Sequence, residues 1–183
     1  WSSDVGSSDL GDSDVMVMRH PVTGTAAKAA AAASKPVINA GDGVGEHPTQ
    51  ALLDLFTIVS SHPRAALPAA ERAVDLSALT LTLLGDLKHG RTVHSLALLA
   101  ARVAAPPRLA FCAPASLGMP DEVTAALIEK RVAFDTLDPP AAALTRLDAL
   151  HATRAQTERF PPAEAHDAVR GAYTVDREAP ASA

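Results

Sequence analysis

The 183-residue sequence is poor in several features that mark specialised classes of protein. Its one cysteine, Cys112, excludes an internal disulfide framework and is typical of a reducing compartment. Aromatic residues make up only 3% of the chain although 48% of it is hydrophobic, which predicts an aliphatic, helix-rich globular protein. No apolar run approaches the roughly 18 residues that a membrane-spanning helix needs. A disulfide-rich secreted protein and a membrane protein are both disfavoured.

The sequence also has no excess of positively charged residues. The formal net charge is −5 and the isoelectric point is about 5.8, which argues against a nucleic-acid partner or a basic membrane-binding surface. His62, His94, His151 and His166 have no ligand-like spacing with cysteine or carboxylate residues, so we predict no metal site. We predict a cytoplasmic protein.

Short apolar runs alternate with helical patterns along the chain after a Ser/Asp/Gly-rich start. Strand-to-helix alternation at this spacing predicts an α/β fold, with a parallel sheet and helices on both faces. We expect a poorly ordered lead-in over residues 1–13. The predicted strands are residues 14–18, 36–39, 79–84, 108–113, 132–137 and 148–152. The predicted helices are residues 25–34, from Pro48 to about 62, 92–102, from 119 onward, and 139–146.

The first candidate site lies where a helix is predicted to begin. Pro48 suits the first helical position, which makes His47 the N-cap and puts Gln50 in the first turn. An imidazole there can donate a hydrogen bond to a carbonyl oxygen that becomes negative during nucleophilic attack. The carboxamide of Gln50 can pair with a small amide. The alternative is a histidine that only caps an amphipathic helix.

The loop from Gly85 to Thr92 is close to a nucleotide-binding P-loop, with two glycines five positions apart. Arg91 stands where that motif has lysine, and its planar fork suits carboxylate or phosphate pairing. Asp86 would put an anion where a nucleoside triphosphate would lie. We therefore favour carboxylate binding over a P-loop-like nucleotide binder, and a plain strand-to-helix turn stays open.

Three more polar side chains follow predicted strands. Arg19 follows the first strand, and Arg154 and Gln156 follow the last one. The carboxyl ends of parallel strands border the ligand crevice of open α/β sheets, so these residues are candidates for anion binding. Charged surface turns are the alternative.

Four segments occur in the order and wording of the aspartate carbamoyltransferase catalytic chain, which this sequence resembles over roughly residues 14–178. The threonine in HPTQ is unlike ornithine carbamoyltransferase, which carries cysteine there. The wording of the second segment is similar to the version fused into the animal multifunctional pyrimidine protein. The segments are RHP at 19–21, NAGDGVGEHPTQ at 39–50, GDLKHGRTVHS at 85–95 and TRAQTER at 153–159.

The resemblance implies transfer of a carbamoyl group from carbamoyl phosphate to L-aspartate in de novo pyrimidine (UMP) biosynthesis. Arg19 and His47 would be catalytic and would bind carbamoyl phosphate together with Gln50. Aspartate would be held by Arg91, Arg154 and Gln156. The resemblance also implies a homotrimer, possible association with regulatory chains or fused pyrimidine enzymes, and no metal or organic cofactor.

Two segments of the family pattern have no counterpart in these 183 residues. They are a Ser-Thr-Arg-Thr phosphate loop and a His-Pro-Leu-Pro-Arg segment. The sequence starts at Trp1 rather than at methionine, and we expect it to be a fragment. Residues 14–50 would be the tail of the carbamoyl phosphate-binding domain, and residues 51–183 would be a C-terminally truncated aspartate-binding domain. We expect negligible carbamoyl transfer by this fragment alone, so a non-catalytic dicarboxylate-binding role is a further alternative.

Overall fold

The computed structural model describes residues 13–62, 74–137 and 147–154. Within these ranges, strands and helices alternate as the sequence predicts. The predicted helix over residues 139–146 and most of the predicted lead-in lie outside the described residues. The strands are β1 (Met16–His20), β2 (Val37–Asp42), β3 (Thr80–Gly85), β4 (Arg108–Cys112), β5 (Phe134–Leu137) and β6 (Ala149–Thr153). The α-helices are α1 (Thr25–Ala32), α2 (Pro48–Ser61), α3 (Arg91–Ala100) and α4 (Asp121–Glu129).

All described strand pairs are parallel, which confirms the predicted α/β class. β1 and β2 form a two-stranded sheet, and the other four strands form a second sheet in the order β5-β4-β3-β6. The chain moves outward from β3 through β4 to β5 and returns on the opposite side of β3 as β6. The carboxyl ends of β3 and β6 therefore border a point where strand order reverses, which is where open α/β sheets bind ligands.

Alternate residues of the central strands separate the two faces of the larger sheet. Leu81 and Leu83 point into a cluster with α2, α3 and α4, which includes Ala51, Leu96 and Leu127. On the opposite face, Leu84 and Cys112 are also fully buried. The cluster therefore packs the helix that begins after His47 against the same sheet as the helix that begins at Arg91.

The connection from α4 to β5 makes the strand start later than predicted. Arg131 has φ 57°, and its amide donates to the Ile128 carbonyl while the Val132 amide donates to the Leu127 carbonyl. This is a Schellman ending, in which a left-handed residue turns the chain out of the helix. Residues 132 and 133 are used by that turn, so β5 begins at Phe134.

None of the described helices combines the length and the apolar character needed to cross a membrane.

Candidate active site

His47 is the N-cap of α2, as the sequence predicts, and Pro48 opens the helix. The imidazole Nδ1 accepts the backbone N–H of Gln50 at 3.4 Å. A neutral imidazole that accepts through Nδ1 carries its hydrogen on Nε2. The cap therefore leaves His47 with Nε2–H as its donor.

The pKa of His47 is lowered from its ordinary value of 6.5. Burial is the largest cause, followed by the positive charges of Arg91 and Arg19, while Asp54 acts in the opposite direction. The neutral ring is therefore favoured in the folded protein near neutral pH. Since the charges of Arg91 and Arg19 both act on the pKa of His47, both arginines lie within electrostatic range of the imidazole.

Arg91 is the first residue of α3, and its guanidinium covers the loop between β2 and α2. The Nη1 atom donates to the Gly43 carbonyl at 3.1 Å. A Cβ atom added to Gly41 would lie 2.8 Å from the Arg91 Cζ, so a larger residue there would displace the guanidinium from this position. The backbone N–H of His47 also donates to the Ser95 hydroxyl at 2.8 Å, one turn into α3. This hydrogen bond joins the starts of α2 and α3, so His47 and Arg91 lie at adjoining helix starts.

A buried carboxylate shapes the loop in front of α2. Asp42 accepts the backbone N–H groups of Gly24 at 2.8 Å and Glu46 at 3.0 Å. Burial raises the pKa of Asp42, but these backbone hydrogen bonds outweigh it, and the net pKa is lowered. The loop that faces Arg91 is therefore held from inside by an ionised side chain.

Gln50 lies in the first turn of α2, and its amide is already oriented. Its Nε2 donates to Asp54 Oδ1 at 2.9 Å. An ionised carboxylate only accepts hydrogen bonds, so the nitrogen of the amide must face Asp54 and the Oε1 faces away from it.

Arg154 directly follows β6, where that strand lies closest to the loop before α3. Gly85 pairs with Thr153 at the end of the ladder and has φ 114°. A Cβ atom on Gly85 would overlap the Thr153 carbonyl oxygen. This close approach brings the backbone of Arg154 beside the Gly85–Thr92 loop. The side chains of Arg154 and of Arg19, in β1, are exposed.

The Gly85–Thr92 loop encloses a carboxylate of its own. Asp86 is 1% exposed, and its Oδ1 accepts the backbone N–H of His89 at 3.0 Å. The His89 ring Nδ1 lies 3.1 Å from the same oxygen. In a P-loop the backbone N–H groups donate to phosphate oxygens. Here the backbone N–H of His89 already donates to the Asp86 carboxylate. The geometry therefore disfavours the nucleotide-binding interpretation of this loop.

The structure thus places His47 and Arg91 at the joined starts of α2 and α3, with Gln50 in the first turn after His47. Arg19 lies in β1 and acts on the His47 ring through its charge. Gln156 lies outside the described residues. Across the three described ranges, no group of three histidine, cysteine or acidic residues could hold a metal ion. Sequence reasoning missed the contributions of Ser95 and Asp54. Ser95 falls within the 85–95 motif, whereas Asp54 is signalled only by its position one helical turn after Gln50.

Replacing Arg91 by methionine is expected to raise the pKa of His47, because a positive charge near the ring is removed. Arg91→Lys keeps that charge and is expected to keep the pKa low. Histidine ring resonances followed by NMR as a function of pH measure the shift, with Lys28→Met as a control for loss of an exposed cation. An unchanged His47 pKa in Arg91→Met would mean that the two side chains are not neighbours.

Comparisons with known proteins identify relatives over most of the chain. Residues 8–60 match the family described as "Aspartate/ornithine carbamoyltransferase, carbamoyl-P binding domain". The chain is 44% identical over 167 residues to the aspartate carbamoyltransferase catalytic subunit of Thermococcus kodakarensis, covering 91% of this chain and 49% of that protein. It is 42% identical over 160 residues to the multifunctional protein CAD of Squalus acanthias, covering 87% of this chain and 7% of that protein.

A solved structure leads to the same family. The crystal structure of aspartate transcarbamoylase from Trypanosoma cruzi in complex with aspartate and phosphate matches with a TM-score of 0.70 and 38% sequence identity. The match covers 84% of this chain and 47% of that one. The chain spans about half the length of the catalytic subunits that it matches. By sequence and by fold, this chain belongs to the aspartate carbamoyltransferase family.

Proposed function

We propose that this chain forms part of an aspartate carbamoyltransferase, which makes N-carbamoyl-L-aspartate and phosphate from carbamoyl phosphate and L-aspartate. The observation that carries the proposal is the His47 cap at the start of α2, whose Nδ1 accepts the Gln50 N–H and so leaves Nε2–H as the donor. After burial, the positive charges of Arg91 and Arg19 are the next largest causes of the lowered pKa of that imidazole. A neutral donor near cationic side chains suits a carbonyl oxygen that gains negative charge next to an anionic phosphate. The product would enter de novo pyrimidine biosynthesis.

The carbamoyl group would bind at the start of α2. His47 Nε2–H and Arg19 would donate to the carbonyl oxygen and hold the phosphate end, while Gln50 Oε1 would accept from the carbamoyl NH₂. The positive end of the α2 dipole lies at the same point and adds to the attraction for an anion.

Aspartate would bind against the start of α3 and the end of β6. Arg91 would pair with its α-carboxylate, and Arg154, with Gln156, would pair with its side-chain carboxylate. The aspartate amine would then attack the carbamoyl carbon, and the bond from that carbon to the phosphate oxygen would break. The departing phosphate can take the proton, so positioning and electrostatics supply the catalysis without a metal or organic cofactor.

We further propose the predicted division into residues 14–50 on the carbamoyl phosphate side and residues 51–183 on the aspartate side. For the whole enzyme we propose a cytoplasmic homotrimer, free-standing, bound to regulatory chains or fused to other pyrimidine enzymes. The exposed apolar side chains of Leu52, Leu53 and Phe56 on α2 are consistent with contact to further protein surface.

Isothermal titration of the 183 residues with N-(phosphonacetyl)-L-aspartate is expected to show saturable binding at one site. Mg-ATP is expected to give no heat beyond dilution. Without a Ser-Thr-Arg-Thr loop among these residues, two or three charged hydrogen bonds to phosphate are lost, each worth about 1.5–3 kcal/mol. Turnover is then expected to be several powers of ten below an ordinary enzyme's ~10 per second. Binding of Mg-ATP but not of the phosphonate would refute the proposed function.

A further inference from the structure

Two histidine–aspartate pairs join helix α2 to strand β6. His151 Nδ1 lies 3.6 Å from Asp54 Oδ2, and His62 Nε2 lies 4.0 Å from Asp148 Oδ1. Asp148 also accepts the backbone N–H of Thr80 in β3 at 2.8 Å. The helix and the strand run in opposite directions, and the Asp54–His151 pair lies at the middle of both, nearer than the other pair to the start of α2 and the end of β6. Those two ends carry Gln50 and Arg154.

Asp54 uses its two carboxylate oxygens differently. Oδ1 accepts the Gln50 amide, whereas Oδ2 is buried, faces the His151 ring and has no hydrogen-bond partner among the described residues. Burial lowers the pKa of His151, and the negative charge of Asp54 partly offsets that effect. The imidazole and the carboxylate therefore interact across the boundary between α2 and β6.

The orientation of an amide side chain decides what it can recognise. The amide nitrogen is a donor and the amide oxygen is an acceptor, so a 180° flip exchanges the two at any binding site. A carbamoyl group presents an NH₂ donor, which needs the oxygen. Asp54 accepts but cannot donate while ionised, and it thereby selects the flip that turns Gln50 Oε1 away from itself.

We propose that Asp54 is a positioning residue that fixes the amide flip of Gln50, and that the His151 ring, 3.6 Å from Asp54 Oδ2, packs against the other carboxylate oxygen. The pair would make the start of α2 selective for an N–H-bearing carbamoyl group over an acyl group of the same size. This inference rests on the proposed function for the identity of the ligand. The Asp54–Gln50–His151 contacts themselves do not depend on it.

Asp54→Asn provides the test, because asparagine keeps the shape of the side chain but can also donate, which permits the opposite Gln50 flip. The probes are carbamoyl phosphate and acetyl phosphate, which differ by NH₂ against CH₃. We expect the unaltered chain to prefer carbamoyl phosphate, and Asp54→Asn to reduce that preference about tenfold, the worth of one well-made hydrogen bond. Asp135→Asn, which loses an exposed carboxylate paired with Arg108, is expected to leave the preference unchanged.

A double-mutant cycle separates positioning from general damage. In Gln50→Ala the preference is lost, and adding Asp54→Asn is expected to change it no further. An equal loss of affinity for both ligands in Asp54→Asn, or additive effects in the cycle, would overturn the proposal.

NMR supplies a readout that needs no ligand. Removing the Asp54 charge is expected to lower the pKa of His151 further and to shift the Gln50 side-chain NH₂ resonances, in a variant whose circular dichroism is unchanged. The phosphonate titration tests the proposed function separately, whereas these resonances decide the contacts without any ligand. Unmoved Gln50 and His151 signals in Asp54→Asn would refute the positioning role.

Discussion

Gly85→Ala is expected to lower the free energy of unfolding by about 2–5 kcal/mol. Gly85 has φ 114°, which an L side chain rarely adopts, and the added Cβ would overlap the Thr153 carbonyl oxygen. The backbone conformation accounts for about 1–2 kcal/mol. Separating β3 from β6 to relieve the overlap accounts for about 1–3 kcal/mol more. Urea denaturation followed by circular dichroism measures the total.

Two other glycines serve as matched controls for Gly85. Gly24 also has a positive φ, 83°, but a Cβ there would meet nothing within 4 Å. Gly24→Ala should therefore show the conformational cost alone, and the difference from Gly85→Ala isolates the approach of β6. Gly118 has φ −61°, and its nearest neighbour to an added Cβ is at 3.8 Å, so Gly118→Ala should be nearly neutral. Equal effects of Gly85→Ala and Gly24→Ala would show that Thr153 does not press on the turn.

The sequence predicts the local parts of this molecule well because they depend on near neighbours. The N-cap at His47 follows from Pro48 and from the spacing to Gln50, and the structure confirms it. The turn after α4 is harder to predict from the sequence, because the left-handed residue there is Arg131 rather than glycine. Leu127 and Val132 are both buried in the cluster on the larger sheet, which favours that conformation, and such packing cannot be read from a residue type.

The long-range parts of the candidate site required the folded chain. Asp54 and His151 are far apart in sequence, and they meet only because β6 returns beside β3 rather than beside β5. Nothing in the local pattern sets that strand order. The contact between Arg91 and the Gly41–Gly43 loop is similar, since it depends on α2 and α3 packing side by side. The family resemblance identified Arg91 as a site residue, and the structure shows its guanidinium packed against Gly41.

Arg91→Met is expected to weaken binding of N-(phosphonacetyl)-L-aspartate about 10- to 150-fold, if Arg91 pairs with the α-carboxylate as proposed. Loss of a hydrogen bond to a charged group costs about 1.5–3 kcal/mol, which corresponds to that range. The substitution also removes the Nη1 contact to the Gly43 carbonyl, so the loop before His47 loses one of its restraints. Isothermal titration gives the affinity, and thermal unfolding shows whether the fold survives.

Arg91→Lys separates charge from geometry at the same position. Lysine keeps the positive charge but cannot form the two parallel hydrogen bonds that a guanidinium makes to a carboxylate. We therefore expect Arg91→Lys to bind the phosphonate more weakly than the unaltered chain and more tightly than Arg91→Met. Lys130→Met, which removes an exposed cation after α4, should change the affinity little. If Arg91→Met, Arg91→Lys and Lys130→Met all bind the phosphonate as tightly as the unaltered chain does, Arg91 is excluded from the aspartate site. That conclusion would hold whatever the effect of Arg91 on the pKa of His47.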